Sequence, residues 1–255
     1  MKLGGLSDVH GNKLALDAVL ADGASVGVER WWALGDLVLS GSRPVEVLET
    51  LRALPDVAFV GGNTDRYVVN NTQPLVHQTV ADVVGDPDLV RRFVEVAASI
   101  GWAQGALIQA GLLDWLGELP SEQRLTLPGG ERLLAVHASP ASDDGPGINP
   151  DVPDDELAEL LGDCAADVVV GGHTHLATDR EVHGKRVLNP GSTGLPRRGA
   201  GASWMVIDAD EDGVRVEHRR AMFDTDAAVD DLHARRHPGA DFVEAILRGT
   251  HPFAN

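Results

Sequence analysis

The chain has little cysteine, no long apolar run and a shortage of cationic side chains, and each scarcity argues against a class of protein. One cysteine, Cys164, in 255 residues cannot form an internal disulfide, so a disulfide-stapled scaffold is ruled out and a reducing cytoplasm suits the chain. Its setting, LAELLGDCAAD, has helical spacing and predicts a buried structural cysteine rather than a thiol nucleophile. No apolar run approaches the length that spans a bilayer, and the opening MKLGGLSDVHGN reaches a charged loop too soon for the centre of a signal peptide. Neither export nor membrane spanning is expected. Lysine and arginine total 21 against 39 acidic residues, a formal net charge of −18. That excess repels polyanions, so nucleic acid is not an expected partner, and a small phosphorylated substrate would need cations beside it. The acidity alone also serves solubility and says nothing about fold. What remains, 43% hydrophobic and 24% charged, is globular composition, and the length suffices to bury a core.

Short β-like runs alternate with helical segments, which predicts an α/β fold. KLGGL leads into SDVHGN, RWWAL into GDLVLSG, VAFV into GGNTD, RLLAV into HASP, DVVV into GGHTH and RVL into NPGS. Helical spacing marks LALDAVLADGA, PVEVLETLRAL and DDELAELLGDCA between them. Ligand sites in α/β sheets gather beyond the carboxyl ends of strands, so these polar loops are expected to converge on one edge. Two stretches leave the rhythm. Residues 66–120, with VHQTVADVV, PDLVRRFVEVAASIGW and GALIQAGLLDWLGELP, predict a helical insertion lying over that edge as a lid. ASWMVID and VRVEHRRAMF flank the turn ADEDG as a hairpin, and residues 224–255 form a C-terminal helical extension. Residues 1–255 are taken as one domain, and SPASDDGPGINPDVP as a mobile loop at the site.

The strand-end loops contribute Asp8, His10, Asp36, Asn63, His137, His173 and His175. All are oxygen or imidazole donors, which favours Mn²⁺, Fe, Zn²⁺ or Ni²⁺ over an iron–sulfur cluster or a closed structural zinc. Seven donors exceed what one four-coordinate ion uses but suit two ions if one carboxylate bridges them. Two such ions, roughly 3.5–4 Å apart, polarise a phosphoryl oxygen and make a bridging water acidic, so no protein nucleophile is required. Taken singly, Asp-x-His and Gly-Asp are ordinary turn or helix-capping sequences. Their recurrence after successive strands is what points to metal.

In order, S-D-V-H-G-N, G-D, G-G-N-T-D, V-H-A-S-P and G-G-H-T-H resemble the blocks of the calcineurin-like metallophosphoesterase superfamily. The added L-N-P-G-S-T-G-L-P-R-R looks like its small bacterial and archaeal phosphodiesterase branch. The resemblance runs from Lys2 to about Arg220. It implies a four-layer αββα sandwich of two mixed β-sheets, and metal-dependent hydrolysis of phosphodiesters or nucleotide phosphoanhydrides by a metal-bridging hydroxide. By the same resemblance Asp8, His10 and His175 hold one metal, Asn63, His137 and His173 hold the second, and Asp36 bridges them. Asp36, Asn63 and His137 then stand nearest the reaction, with Mn²⁺ the first expectation for both ions.

Around these ligands, Asn12 is expected to cap the following helix, or to orient the Asp8 loop or touch phosphate, and Asp65 to hold an imidazole in its tautomer. Asn189 and Ser192 lie in the NPGS loop, where Gly191 permits a close approach, while Arg66, Arg197 and Arg198 are candidate phosphate clamps. Many relatives place His where this chain has Thr64, and that His is thought to protonate the leaving oxygen. Its loss predicts a preference for leaving groups that depart without a proton, such as those of aryl phosphodiesters and phosphoanhydrides. His77, His183, His218, His233, His237 and His251 are read as surface or packing residues, with His77 able to approach substrate from the insertion. Trp31, Trp32, Trp102 and Trp115 are read as packing residues. Two rivals stand beside this reading. One is a symmetrical dinucleoside tetraphosphatase, suggested by the NPGS-to-Arg198 block. The other is a non-catalytic scaffold like one relative in a trafficking coat, in which eroded ligand positions are expected; here none of the seven is lost. Whether copies of the chain associate is left open.

Overall fold

The computed structural model describes residues 1–74 and 79–251. Strand and helix alternate first as β1 (Lys2–Leu6), α1 (Lys13–Ser25), β2 (Arg30–Leu34), α2 (Pro44–Arg52) and β3 (Val57–Val60). There follow α3 (Asn63–Asn70), α4 (Val80–Val83), α5 (Pro87–Ala110) and α6 (Leu113–Gly117). The second half holds β4 (Glu122–Thr126), β5 (Arg132–Val136), α7 (Asp154–Leu161), β6 (Val168–Val170), β7 (Thr178–Val182) and β8 (Lys185–Asn189). A hairpin of β9 (Ala202–Asp210) and β10 (Gly213–Ala221) precedes α8 (Thr225–Ala234) and α9 (Ala240–Leu247). Local chemistry sets several boundaries. The Asn12 side chain accepts from the Ala15 N–H at the start of α1, Pro44 opens α2, and Asp86 caps α5 ahead of Pro87.

Two mixed five-stranded sheets result, ordered β10-β9-β1-β2-β3 and β4-β5-β6-β8-β7. In each, three parallel strands carry antiparallel neighbours, so the parallel strands discharge their loops at one edge. Strand alternation divides the core into layers. Leu3, Leu34, Met205 and Ile207 of the first sheet face Leu133, Ala135, Val170 and Leu188 of the second. On the outer faces, Leu6 and Ala33 pack with Leu16, Leu48 and Leu107 of the helices, and Leu134, Val136 and Val169 pack with Leu157 and Leu161. Helix, sheet, sheet, helix is the four-layer arrangement the resemblance implies. Each buried leucine contributes roughly 1.5–3 kcal/mol, so these layers form a rigid base for the loops.

The structure departs from the sequence reading in four places. β4 and β7 are additional edge strands. Of the three stretches expected as helices in the insertion, PDLVRRFVEVAASIGW runs on through Gly101 and Gly105 into GALIQA as one helix, α5, and the remainder of the last stretch restarts as α6 after Gly111 in left-handed conformation. Its second half packs Ile100, Ala103 and Leu107 into the outer core. α7 ends at Leu161, which leaves Cys164 half-buried beyond the helix. The loop read as mobile is tied down, as described below. His77 lies outside the described residues. Among the described residues no helix is long and apolar enough to cross a membrane.

Candidate metal centre

The strand-end loops are stitched to one another by backbone hydrogen bonds. Asp8 N–H donates to the Gly35 carbonyl at 3.0 Å and His10 N–H to the Asp36 carbonyl at 2.9 Å, which binds the β1 loop to the β2 loop. Gly172 N–H donates to the His137 carbonyl at 2.7 Å, and Gly194 N–H to the Asp8 carbonyl at 2.9 Å. Asp8, His10, Asp36, His173 and His175 all hold left-handed backbone, with φ of 55°, 49°, 55°, 68° and 61°. Such a conformation costs a non-glycine residue on the order of 1–3 kcal/mol, so its recurrence at five candidate ligands marks positions fixed for a purpose other than stability. Glycine permits the crowding: a Cβ on Gly62 would stand 2.2 Å from Asp36 Oδ1, and one on Gly172 would stand 1.8 Å from Ser7 Oγ.

This scaffold gathers two groups. Asp8, His10 and His175 each bring a ligand atom within 4.8 Å of the others, and so do Asp36, His137 and His173. Asn63, the first residue of α3, joins the second group, its Oδ1 lying 3.0 Å from both His137 Nε2 and His173 Nδ1. Asp36 reaches both, with Oδ2 3.7 Å from His10 Nε2 and Oδ1 3.2 Å from His137 Nε2.

Ring orientation shows what such a cluster can hold. His10 Nδ1 lies 2.9 Å from the Leu39 carbonyl, and His175 Nδ1 lies 2.8 Å from the Leu195 carbonyl. A carbonyl only accepts, so each Nδ1 is the donor in its contact, and the two Nε2 atoms turn toward one another at 3.1 Å. Carboxylate oxygens complete the surroundings, with Asp8 Oδ1 3.4 Å from His175 Nε2. The second group repeats the arrangement: His137 Nδ1 donates to the Leu34 carbonyl at 2.6 Å and His173 Nε2 to the Gly145 carbonyl at 2.8 Å. Both sets therefore turn the ring nitrogen that no backbone carbonyl engages toward carboxylate and amide oxygens, and nitrogen and oxygen donors so gathered can hold a divalent cation once any proton between them is displaced.

The electrostatics agree. Burial opposes charge on Asp36, yet the His137 imidazole beside it holds its carboxyl well below the usual range. Burial likewise opposes charge on His137, but Asp36 pushes that imidazole up to about 10, so a proton or a cation has to stand between the two. Burial, more than its neighbours, lowers His10 and favours its neutral form. Burial and then the Asp36 charge push Asp65 up to about 7.

The family model for the calcineurin-like phosphoesterase superfamily domain matches residues 1–212. The chain belongs to the calcineurin-like phosphoesterase superfamily. It is 27% identical over 253 residues to an uncharacterized protein of Methanocaldococcus jannaschii, covering 91% of this chain and 92% of the relative. A crystal structure of a metallophosphoesterase from Sphaerobacter thermophilus matches with TM-score 0.74 and 25% identity, over 98% of this chain and 99% of that one. A hypothetical protein from Pyrococcus horikoshii superposes with TM-score 0.78 at 22% identity, over 96% and 97% of the two chains, which shows the shared fold.

Within this family framework the remaining expected residues fall into two sets. Asn12, Asn189 and Ser192 act as struts. Asn12 caps α1 and donates to the Gly194 carbonyl at 3.0 Å. Ser192 Oγ donates to the Asp8 carbonyl at 2.8 Å, and the Asn189 amide donates to the Ile148 and Gly172 carbonyls. Asp65 accepts from Leu37 N–H at 2.8 Å and Gly62 N–H at 3.1 Å; the imidazole tautomers are set instead by backbone carbonyls. Thr64 N–H donates to Asp36 Oδ1 at 2.9 Å, while its hydroxyl is buried without a partner.

The arginines form the other set. Arg66 grips Asp143 through Nε at 2.7 Å and Nη2 at 2.9 Å. Arg197 donates to the Thr174 carbonyl at 3.3 Å, and Arg198 pairs with Asp151 at 2.6 Å. Sequence reasoning singled out neither Asp143 nor Asp144. Asp144 accepts from the Tyr67 hydroxyl, so Arg66, Tyr67 and His173 together tie down the Gly/Pro-rich loop. His183, His218 and His233 bond Asp155, the Asn189 carbonyl and Glu244, and His237 is buried against Trp102, all away from the donor groups. Beside His137 and Gly62 lies a cavity of about 540 Å³ bordered by Arg66 and Asp143.

Proposed function

We propose that this chain is a metal-dependent phosphoric ester hydrolase that acts on phosphodiesters or nucleotide phosphoanhydrides with two divalent cations, Mn²⁺ first among them. The observation that carries the reading is the inward-facing pair of Nε2 atoms of His10 and His175 at 3.1 Å, with Asp36 in reach of both donor groups. Asp8, His10 and His175 would hold one cation, Asn63, His137 and His173 the other, with Asp36 shared. When bound, such a pair withdraws charge from a phosphoryl oxygen and acidifies a water for attack at phosphorus.

The chain's own residues position and exclude. The carbonyls of Leu34, Leu39 and Leu195 keep three rings turned inward, and Ser192 and His173 N–H steady the Asp8 loop and carboxylate. At the position where relatives carry a proton-donating His stands Thr64, whose hydroxyl is far too weak an acid for that task. Departure of the leaving group is therefore unassisted, which favours phenolates and phosphates over alkoxides. A lone cysteine and the absence of a spanning helix among the described residues fit a cytoplasmic enzyme acting on a small phosphorylated substrate.

The test is metal analysis of the purified protein combined with a panel of phosphate esters. Wild type with Mn²⁺ should turn over bis(4-nitrophenyl) phosphate. Asp36→Asn should lose about 4 kcal/mol of transition-state stabilisation, roughly 10³-fold in kcat/KM, while keeping its circular dichroism. Equal turnover by the variant would refute the reading.

A further inference from the structure

We propose that the cavity beside the second donor group receives an uncharged ester group of the substrate, and that the Arg66–Asp143 pair makes it reject a second anionic group. The proposal rests on the hydrolytic reading above and adds a substrate class to it. The cavity, about 540 Å³, falls within the range of small-molecule pockets and touches His137 directly. Leu116, Leu119 and Pro120, at the end of the helical insertion, give it an apolar border, and Arg66 and Asp143 give it a polar one. An aryl or nucleoside-sized group suits such a border.

Charge decides what kind of group enters. A free arginine here would grip another phosphate or carboxylate through two parallel hydrogen bonds. That fork is already filled by both oxygens of Asp143, at 2.7 and 2.9 Å. Asp144 lies 3.8 Å from the same guanidinium and is fixed in place by the Tyr67 hydroxyl. One cation thus faces two carboxylates, on a chain that already carries −18. A polyphosphate chain or carboxylate would have to break the pair or lie against uncompensated negative charge, whereas a neutral ring does neither.

Two variants change this charge in opposite directions. With Mn²⁺ present, kcat/KM is measured for bis(4-carboxyphenyl) phosphate and bis(4-nitrophenyl) phosphate, and their ratio is compared across proteins. Equilibrium dissociation constants for 4-carboxybenzylphosphonate and 4-nitrobenzylphosphonate, which hold no ester to cleave, give the same ratio without turnover. Asp143→Asn should move both ratios toward the carboxylate probe by about tenfold, and Arg66→Gln should move them away by about tenfold, the order expected for one charge several ångströms away in a partly solvated cleft. Unchanged ratios, or shifts of the same sign in both variants, would overturn the proposal, since simple loosening of the loop moves both alike. If wild type cleaves neither diester, the hydrolytic reading falls, and the phosphonate ratios alone then decide the pocket.

Discussion

Two imidazole Nε2 atoms stand 3.1 Å apart with carboxylates around them, a setting that favours a positive charge between them. Adding a divalent cation should therefore stabilise the fold markedly. At a free Mn²⁺ concentration 100 times its Kd, mass action supplies about 2.7 kcal/mol. In a chain of this size each kcal/mol raises Tm by roughly 2–4 °C, so the expected gain is about 5–11 °C. Differential scanning fluorimetry on chelator-treated protein, with and without Mn²⁺, measures it. The gain should also grow between pH 6 and pH 8, because the Asp36 charge holds His137 up to about 10 despite its burial, and a cation has to displace that proton. A double variant, His10→Ala with His175→Ala, should lose most of the increment. No shift with millimolar Mn²⁺, Zn²⁺ or Ni²⁺, or an undiminished shift in the double variant, would show that the inward-facing donors do not bind metal.

Two further outcomes follow from the same geometry. In metal-free protein His137 is raised from an ordinary value near 6.5 to about 10, so its pairing with Asp36 stabilises the fold fully below about pH 6.5 and is lost as pH rises through 10. Urea midpoints of chelated protein should fall between pH 7 and pH 10, and His137→Gln should flatten that slope; an equally steep fall in the variant would place its origin elsewhere. Wild-type kcat should drop steeply as the leaving-group pKa rises across a series of aryl diesters. Thr64→His, by supplying a proton, should raise turnover of the poorest leaving groups by about 10²-fold, and a flat wild-type dependence would contradict an unassisted departure.

Sequence pointed to these donor groups as far as the chemistry is local. Asp8, Asp36 and the His173/His175 pair each follow a short apolar run, and an apolar run ending in a polar, glycine-bearing loop is a signal carried within ten residues. What turns those side chains into a cluster is not local. The rings are aimed by the carbonyls of Leu34, Leu39 and Leu195, a group every residue possesses, so no residue type could announce the role. Asp65 offered a carboxylate for an imidazole and spends it on two backbone N–H groups, because Gly62 and Leu37 lie closer once α3 forms. β4 and β7 escaped for a related reason: EQRLT and TDREV are edge strands, partly exposed and rich in charge, and lack the apolar run that identifies a buried strand. The loop SPASDDGPGINPDVP shows the limit most directly. Its glycines and prolines predict motion from composition, yet Asp143, Asp144 and Gly145 are held by Arg66, Tyr67 and His173. Two of those three anchors lie about one helical turn after the candidate ligand Asn63 on α3, and the third is itself a candidate ligand. The loop and the candidate donor groups therefore share anchoring residues, and a substitution that loosens either one is expected to be felt in the other.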